Sequence, residues 1–101
     1  MDNVDNQDVI DVEAYVKEGK PIPHVANYRI RIGTQYFVVH SPTITGRQIL
    51  KLAGKEPPED YEVFQKLRHG QLEPVGLDQE VDLQVHGVER FVVQPLENKD
   101  G

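Results

Sequence analysis

Four histidines, His24, His40, His69 and His86, and two groups of carboxylates, Glu59–Asp60 and Asp78, Glu80 and Asp82, are the side chains that could ligate a metal or move protons. Imidazole is a frequent metal ligand and titrates near neutrality. The spacing speaks against a metal site, because no HxxxH or comparable pair brings two imidazoles to one helix face. The histidines fall at turns and strand ends and read as solvent-facing. The carboxylates could work as an acid/base pair. They lie in turn-like segments with no nucleophile beside them, however, and read as solvated acidic surface. Neither GxxxxGK[ST] nor GxGxxG is present to cradle a phosphate. Cysteine is absent, which removes disulfides, thiolate metal sites and any thioester carried on this chain. No cofactor and no enzymatic activity are expected.

A chain of 101 residues has room for one domain with one core. Its formal net charge of -6 argues against a nucleic-acid or anionic-membrane partner, since both select for basic patches. No apolar run approaches the ~20 residues of a membrane helix. With no signal-peptide pattern, the cytoplasm is the expected location.

The elements are organised around Ile44 to Gly54, which reads as a short helix marked at both ends. Thr45 can cap the first turn and Gln48 can reach back to its N–H, completing a capping box. Ile44 and Ile49 can form a hydrophobic staple, and Gly54 suits the left-handed position after the last turn. Ile49, Leu52 and Ala53 share a face by spacing. So short a helix is marginal alone and needs a sheet to lie on.

Strand-like runs flank it. Tyr28 to His40 is a hairpin, with Tyr28, Ile30 and Ile32 alternating with Arg29 and Arg31 about a Gly33-Thr34 turn. Pairing outward from that turn sets Ile30 opposite Phe37 and Tyr28 opposite Val39. Arg29, Arg31, Tyr36 and Val38 then form the wet face. Tyr61 to Leu67 is a third strand, on which Val63 and Phe64 compete for the interior. Leu72 to Leu77 holds a short edge strand limited by Pro74. Asp78 to Leu83 is an acidic turn whose Val81 and Leu83 plug the core. Arg90 to Gln94 is the last strand, apolar on both sides at Val92 and Val93 as a central strand requires. The termini are polar. Residues 1–26 read as a flexible acidic arm holding a short helix, in which Val12, Tyr15 and Val16 have helical spacing and could dock on a partner or a second copy. Residues 96–101 read as a flexible tail. Residues 27–95 form an α+β domain, a four- to five-stranded mixed sheet with one helix packed across it. Placing the last strand centrally and parallel to the first makes this a β-grasp.

The run Ile44-Thr45-Gly46-Arg47-Gln48-Ile49-Leu50, with Ala53-Gly54-Lys55, Pro57-Pro58, Val81-Asp82-Leu83 and Gly87-Val88-Glu89-Arg90-Phe91, resembles the bacterial multiubiquitin-domain family. Asp11-Val12-Glu13, Tyr15, Gly19-Lys20 and Tyr28-Arg29-Ile30-Arg31-Ile32 are similar to that group's N-terminal lead-in. The resemblance implies a ubiquitin-like β-grasp modifier. It also implies an activating enzyme, a conjugating enzyme and a deubiquitinase-like metalloprotease as operon partners, and target proteins joined at their amines. The matching carboxylate is that of Gly101, preceded by Asp100 where the better-known pattern has a second glycine. By the same analogy the sheet face away from the helix is the docking surface, here Arg29, Arg31, Tyr36, Val38 and Val92. Lys17, Lys20, Lys51, Lys55, Lys66 and Lys99 are the candidate chain acceptors. The other reading is an interaction or self-assembly module in which Gly101 is incidental.

Overall fold

The computed structural model describes residues 9–23, 27–84 and 87–96. The elements run β1 (Val9–Asp11), α1 (Val12–Lys17), β2 (Asn27–Ile32), β3 (Gln35–Val39), β4 (Thr43–Thr45), α2 (Gly46–Leu52), a 3-10 turn (Pro58–Asp60), β5 (Tyr61–Leu67), β6 (Leu72–Val75), β7 (Glu80–Asp82) and β8 (Val88–Pro95). The expected four to five strands are thus eight among the described residues, in a six-stranded mixed sheet and a two-stranded β4–β7 ribbon, and α1 is a helix additional to α2.

The β2–β3 hairpin has the register its turn dictates, with Ile30 opposite Phe37 and Tyr28 opposite Val39. Gly33 has φ +62 at the first turn position, where a Cβ would be strained although nothing lies within 4 Å of it. β8 pairs antiparallel with β5 along its length and parallel with β2 at Ile32↔Phe91. Strand β2 therefore has three neighbours. Because β3 takes one edge from Tyr28 to Ile32, β1 and β8 must share the other. β1 covers its start, at Val9↔Asn27 to Asp11↔Arg29, and β8 meets its end. Between them β2 and β8 diverge, and α1 packs against both. The residues read as a loose arm thus fill a gap in the sheet. Ile10, Val12, Val16 and Ile22 are buried with the rest of the core.

Both helices are closed by their own sequence. In α2 the Thr45 hydroxyl accepts from the Gln48 N–H at 3.1 Å, and the Thr45 N–H donates to the Gln48 side-chain oxygen at 2.9 Å. Gly54, at φ +73, lets its N–H reach Lys51 O and the Lys55 N–H reach Leu50 O, the paired bonds of a Schellman motif. Gly19 ends α1 in the same way, through Gly19 N–H to Val16 O and Lys20 N–H to Tyr15 O. Ile44 and Ile49 are buried as a staple requires.

The face of α2 differs from the one its spacing suggests. Ile49 and Leu50 are wholly buried, whereas Leu52 is 37% exposed at the rim. A helix of seven residues ends before a full i, i+3, i+4 stripe can face the core, so the interior takes the adjacent pair that points down from mid-helix. On β5 it is Val63 that is buried, with Phe64 half-buried on the other side. Val81 and Leu83 are each 1% exposed and close one end of the core. Val81 does so from a strand, β7, which pairs with β4, and Leu83 from the turn just after it.

Candidate partner-binding face

The outer face of the hairpin is set by register. Arg29 lies opposite Val38 and Arg31 opposite Tyr36, all on the side away from buried Tyr28, Ile30 and Ile32. Val92 belongs to the same side, because its neighbour Phe91 pairs with Ile32 on the core side. The five residues expected to form one face do share it. Their environments diverge. Tyr36 and Val38 are 45% and 44% exposed. Arg29 is exposed and its guanidinium stacks 4.3 Å from the centroid of the Tyr36 ring, a cation–π contact. Val92 is half-buried across from Phe64.

Arg31 is engaged inside the chain. Its Nη1 donates to the Glu13 carboxylate at 2.6 Å, and its Nε donates to Gly33 O at 2.8 Å. The Tyr36 hydroxyl donates to the other Glu13 oxygen at 2.9 Å, and Lys17 stands 3.2 Å from the same carboxylate. Glu13 is only 5% exposed. It anchors α1 to the outer face, and this segment of the face is occupied by the chain's own helix. A second acid, Glu89, sits where β5 and β8 slip register, 3.7 Å from Lys66 and 3.8 Å from Lys17. The extra residue at this irregularity turns Glu89 toward those lysines.

Burial pushes the Glu13 carboxyl up, but hydrogen bonds from Arg31, Tyr36 and Lys17 outweigh it and hold the group below its ordinary value of 4.5. A carboxylate with a lowered folded value stabilises the fold above its unfolded pKa, and that contribution disappears as pH falls through the folded value. Glu13→Gln should therefore cost about 1–3 kcal/mol at neutral pH. The gap to the parent should narrow steadily as the pH drops below 4.5. Urea titrations at several pH values measure it.

Val12 and Val16, read as part of a loose arm that could dock on a partner or a second copy, are instead 2% and 4% exposed within this chain's own core. They leave no apolar face for a partner, because the helix that carries them sits between two strands. Tyr15 is half-buried, with the Lys20 ammonium 5.5 Å from its ring centroid. Gly101 and Lys99 lie outside the described residues, as do His24 and His86. Lys17, Lys20 and Lys66 are all in ion pairs. Lys51 and Lys55 are exposed and have no ion pair among the described residues.

Glu13 and Glu89 were missed in the sequence. The available signals were an acid between two valines on a short helix and an i, i+4 lysine, both of which also describe an ordinary wet helix face. A groove of about 720 Å³ between β3 and α2 was missed as well; Phe37, Val39, Ile44 and Leu52 line it.

The mixed sheet, the main helix and the parallel β2–β8 contact define a small α+β domain compatible with the ubiquitin-like fold. The model of the multiubiquitin family matches residues 28–95, about two thirds of the chain, and the chain belongs to that family. No curated protein and no solved structure matches it. No helix among the described residues is long and apolar enough to cross a membrane.

Proposed function

We propose that this chain is a ubiquitin-like protein modifier whose Gly101 carboxylate is activated and joined to target amines. Membership of the multiubiquitin family carries the reading. The last strand also supports it: β8 ends at Pro95, and the Leu96 N–H donates to Asp60 O at 2.9 Å, so the chain leaves the sheet at a fixed point. The reading requires the carboxyl end to reach an enzyme's active site while the body is held elsewhere. In the proposed sequence the carboxylate attacks the α-phosphorus of ATP and releases pyrophosphate. A thiolate of the activating enzyme then displaces AMP, the acyl group passes to a thiolate of the conjugating enzyme, and a target amine finally displaces that thiolate. Without cysteine this chain can carry no thioester itself and would be the acyl passenger or a scaffold. A deubiquitinase-like metalloprotease would undo the conjugate by adding water across the new amide bond, which frees the target amine and the Gly101 carboxylate.

The exposed Tyr36–Arg29 stack and Val38 would be the part of the outer face read by these enzymes. The same exposed patch supports a second reading, a ubiquitin-like interaction module that is never conjugated. Incubating the chain with ATP and an activating enzyme of the kind this reading requires separates the two. The modifier reading expects a covalent adduct that thiol reductant removes and that deletion of Gly101 abolishes. If no adduct forms while the chain lacking Gly101 still binds the enzymes, the second reading holds.

A further inference from the structure

We propose that the pocket between the end of α1 and the β5–β6 turn binds a carboxylate carried on a compact apolar body, supplied by a short branched acid or by the free carboxyl end of a peptide. The inference goes beyond the modifier reading and does not depend on Gly101. The pocket has a volume of about 380 Å³, within the range of small-ligand sites. Val16, Pro21 and Ile22 supply its apolar lining, and Lys20 and Arg68 its cations. Among the described residues no acid lines it. An apolar concavity with a few convergent polar groups is the usual form of a small-molecule site. Much of this one is made by the segment that precedes residue 28, outside the part matched by the family model.

Arg68 selects the ligand. It is exposed and makes no hydrogen bond or ion pair among the described residues. Its guanidinium nevertheless has a seat, because it lies across Gly19: a Cβ there would meet Nη2, Cζ and Nη1 of Arg68 at 2.9, 3.0 and 3.1 Å. Gly19, at φ +72, thus both ends α1 and makes room for the cation. A guanidinium is always charged and presents paired N–H groups that match the two oxygens of a carboxylate. Lys20 contributes less, since its ammonium stands 3.0 Å from the Glu18 carboxylate. A chain of net charge -6 repels anions in general. An unpaired cation beside an apolar lining is the exception, and it favours an anion that brings an apolar body over a bare one. Gln84 lines the same pocket, and its Nε2 donates to the Tyr28 hydroxyl at 2.6 Å. That leaves its Oε1 to accept the N–H of a terminal peptide residue.

The test titrates the full chain with 3-methylbutanoate and follows backbone amide shifts. Its neutral amide, 3-methylbutanamide, and inorganic phosphate are the controls, and neither comparison needs a variant. Shifts should fall on residues 16–22, Arg68 and Gln84 and saturate in the millimolar range, as befits so small a ligand. Both controls should bind at least about tenfold more weakly. Arg68→Gln, at an exposed position, should weaken binding about tenfold or more without changing the circular dichroism spectrum, and Arg68→Lys should lose less, because it keeps the charge without the fork. Deletion of Gly101 should leave binding unchanged. A blocked tetrapeptide ending in isoleucine, with its carboxyl free or amidated, identifies the source. Binding of the free form alone points to a chain terminus, and binding of neither form, with 3-methylbutanoate still bound, to a small acid. The proposal is overturned if 3-methylbutanoate does not bind, if its amide or phosphate moves the same amides as strongly, or if the shifts map elsewhere. It is equally overturned if Arg68→Gln binds as the parent does, or if the amidated peptide binds as well as the free one.

Discussion

Alanine at position 46 is expected to destabilise the domain by about 1–3 kcal/mol or more, against the gain that helix propensity alone would give. Gly46 is the first residue of α2 and its φ is not in the left-handed region. Alanine in place of glycine inside a helix ordinarily stabilises by roughly 0.5–1 kcal/mol. The reason for glycine here lies across the gap. A Cβ on residue 46 would meet the carbonyl oxygen of Gly76 far inside van der Waals contact, with Gly76 C at 3.1 Å and Leu77 Cα at 3.3 Å. These are backbone atoms, so no rotamer change relieves the clash. The loop cannot simply retreat either. The Arg47 N–H donates to Leu77 O at 2.8 Å, and the Arg47 guanidinium holds Asp78 at 3.2 Å and Glu59 at 3.5 Å. The start of α2 and residues 76–78 thus form one tightly closed joint. Urea denaturation of Gly46→Ala checks the sign, and amide shifts should spread through Gly76–Asp78. Gly76 itself has room, its nearest neighbours being side-chain atoms of Gln79 at 3.6 and 3.8 Å, so Gly76→Ala makes a matched comparison. A neutral or stabilising Gly46→Ala would mean that the joint opens at little cost.

That glycine shows how far the sequence could be read. The caps of α2 were legible because Thr45, Gln48 and Gly54 each act within a few residues, through bonds whose geometry spacing alone predicts. The register of β2 and β3 was legible for the same reason, since Gly33 fixes the turn and every pair is counted outward from it. Gly46 was visible only as part of a motif. Its reason is a contact thirty residues away, which no local pattern encodes. The β4–β7 ribbon was missed on similar grounds, because two three-residue strands carry too short an alternation to separate from turns. At the candidate site, register placed Arg29, Arg31, Tyr36 and Val38 on one side of the hairpin. It could not show that Glu13 takes Arg31 and the Tyr36 hydroxyl from that side. Outward-pointing is a property of the strand, whereas accessible is a property of everything packed over it.

The N-terminal segment supplies the other large expected effect. Val16→Asp should lower stability by about 3 kcal/mol or more, because it places a carboxylate with no partner at a position 4% exposed. A whole domain of this kind commands about 5–15 kcal/mol, so the loss is a large share. Leu52→Asp, which makes the same chemical change at a helix position 37% exposed, should cost much less. The comparison asks whether the segment that the sequence suggests is a loose arm is integral to the fold. The case for integration is topological. β1 completes the edge of β2 that β8 reaches only at Ile32, and α1 fills the opening between those strands. Releasing the segment would uncover Tyr28, which is fully buried and pairs with Ile10. The released state is therefore costly, and one cooperative unfolding transition should shift as a whole when monitored by circular dichroism and by tyrosine fluorescence. Amide shifts in the variant should reach β2 and β8. If instead the midpoint scarcely moves and only residues 9–17 lose their hydrogen-exchange protection, then the residues matched by the family model, 28–95, are a self-sufficient body and β1–α1 merely rests on it.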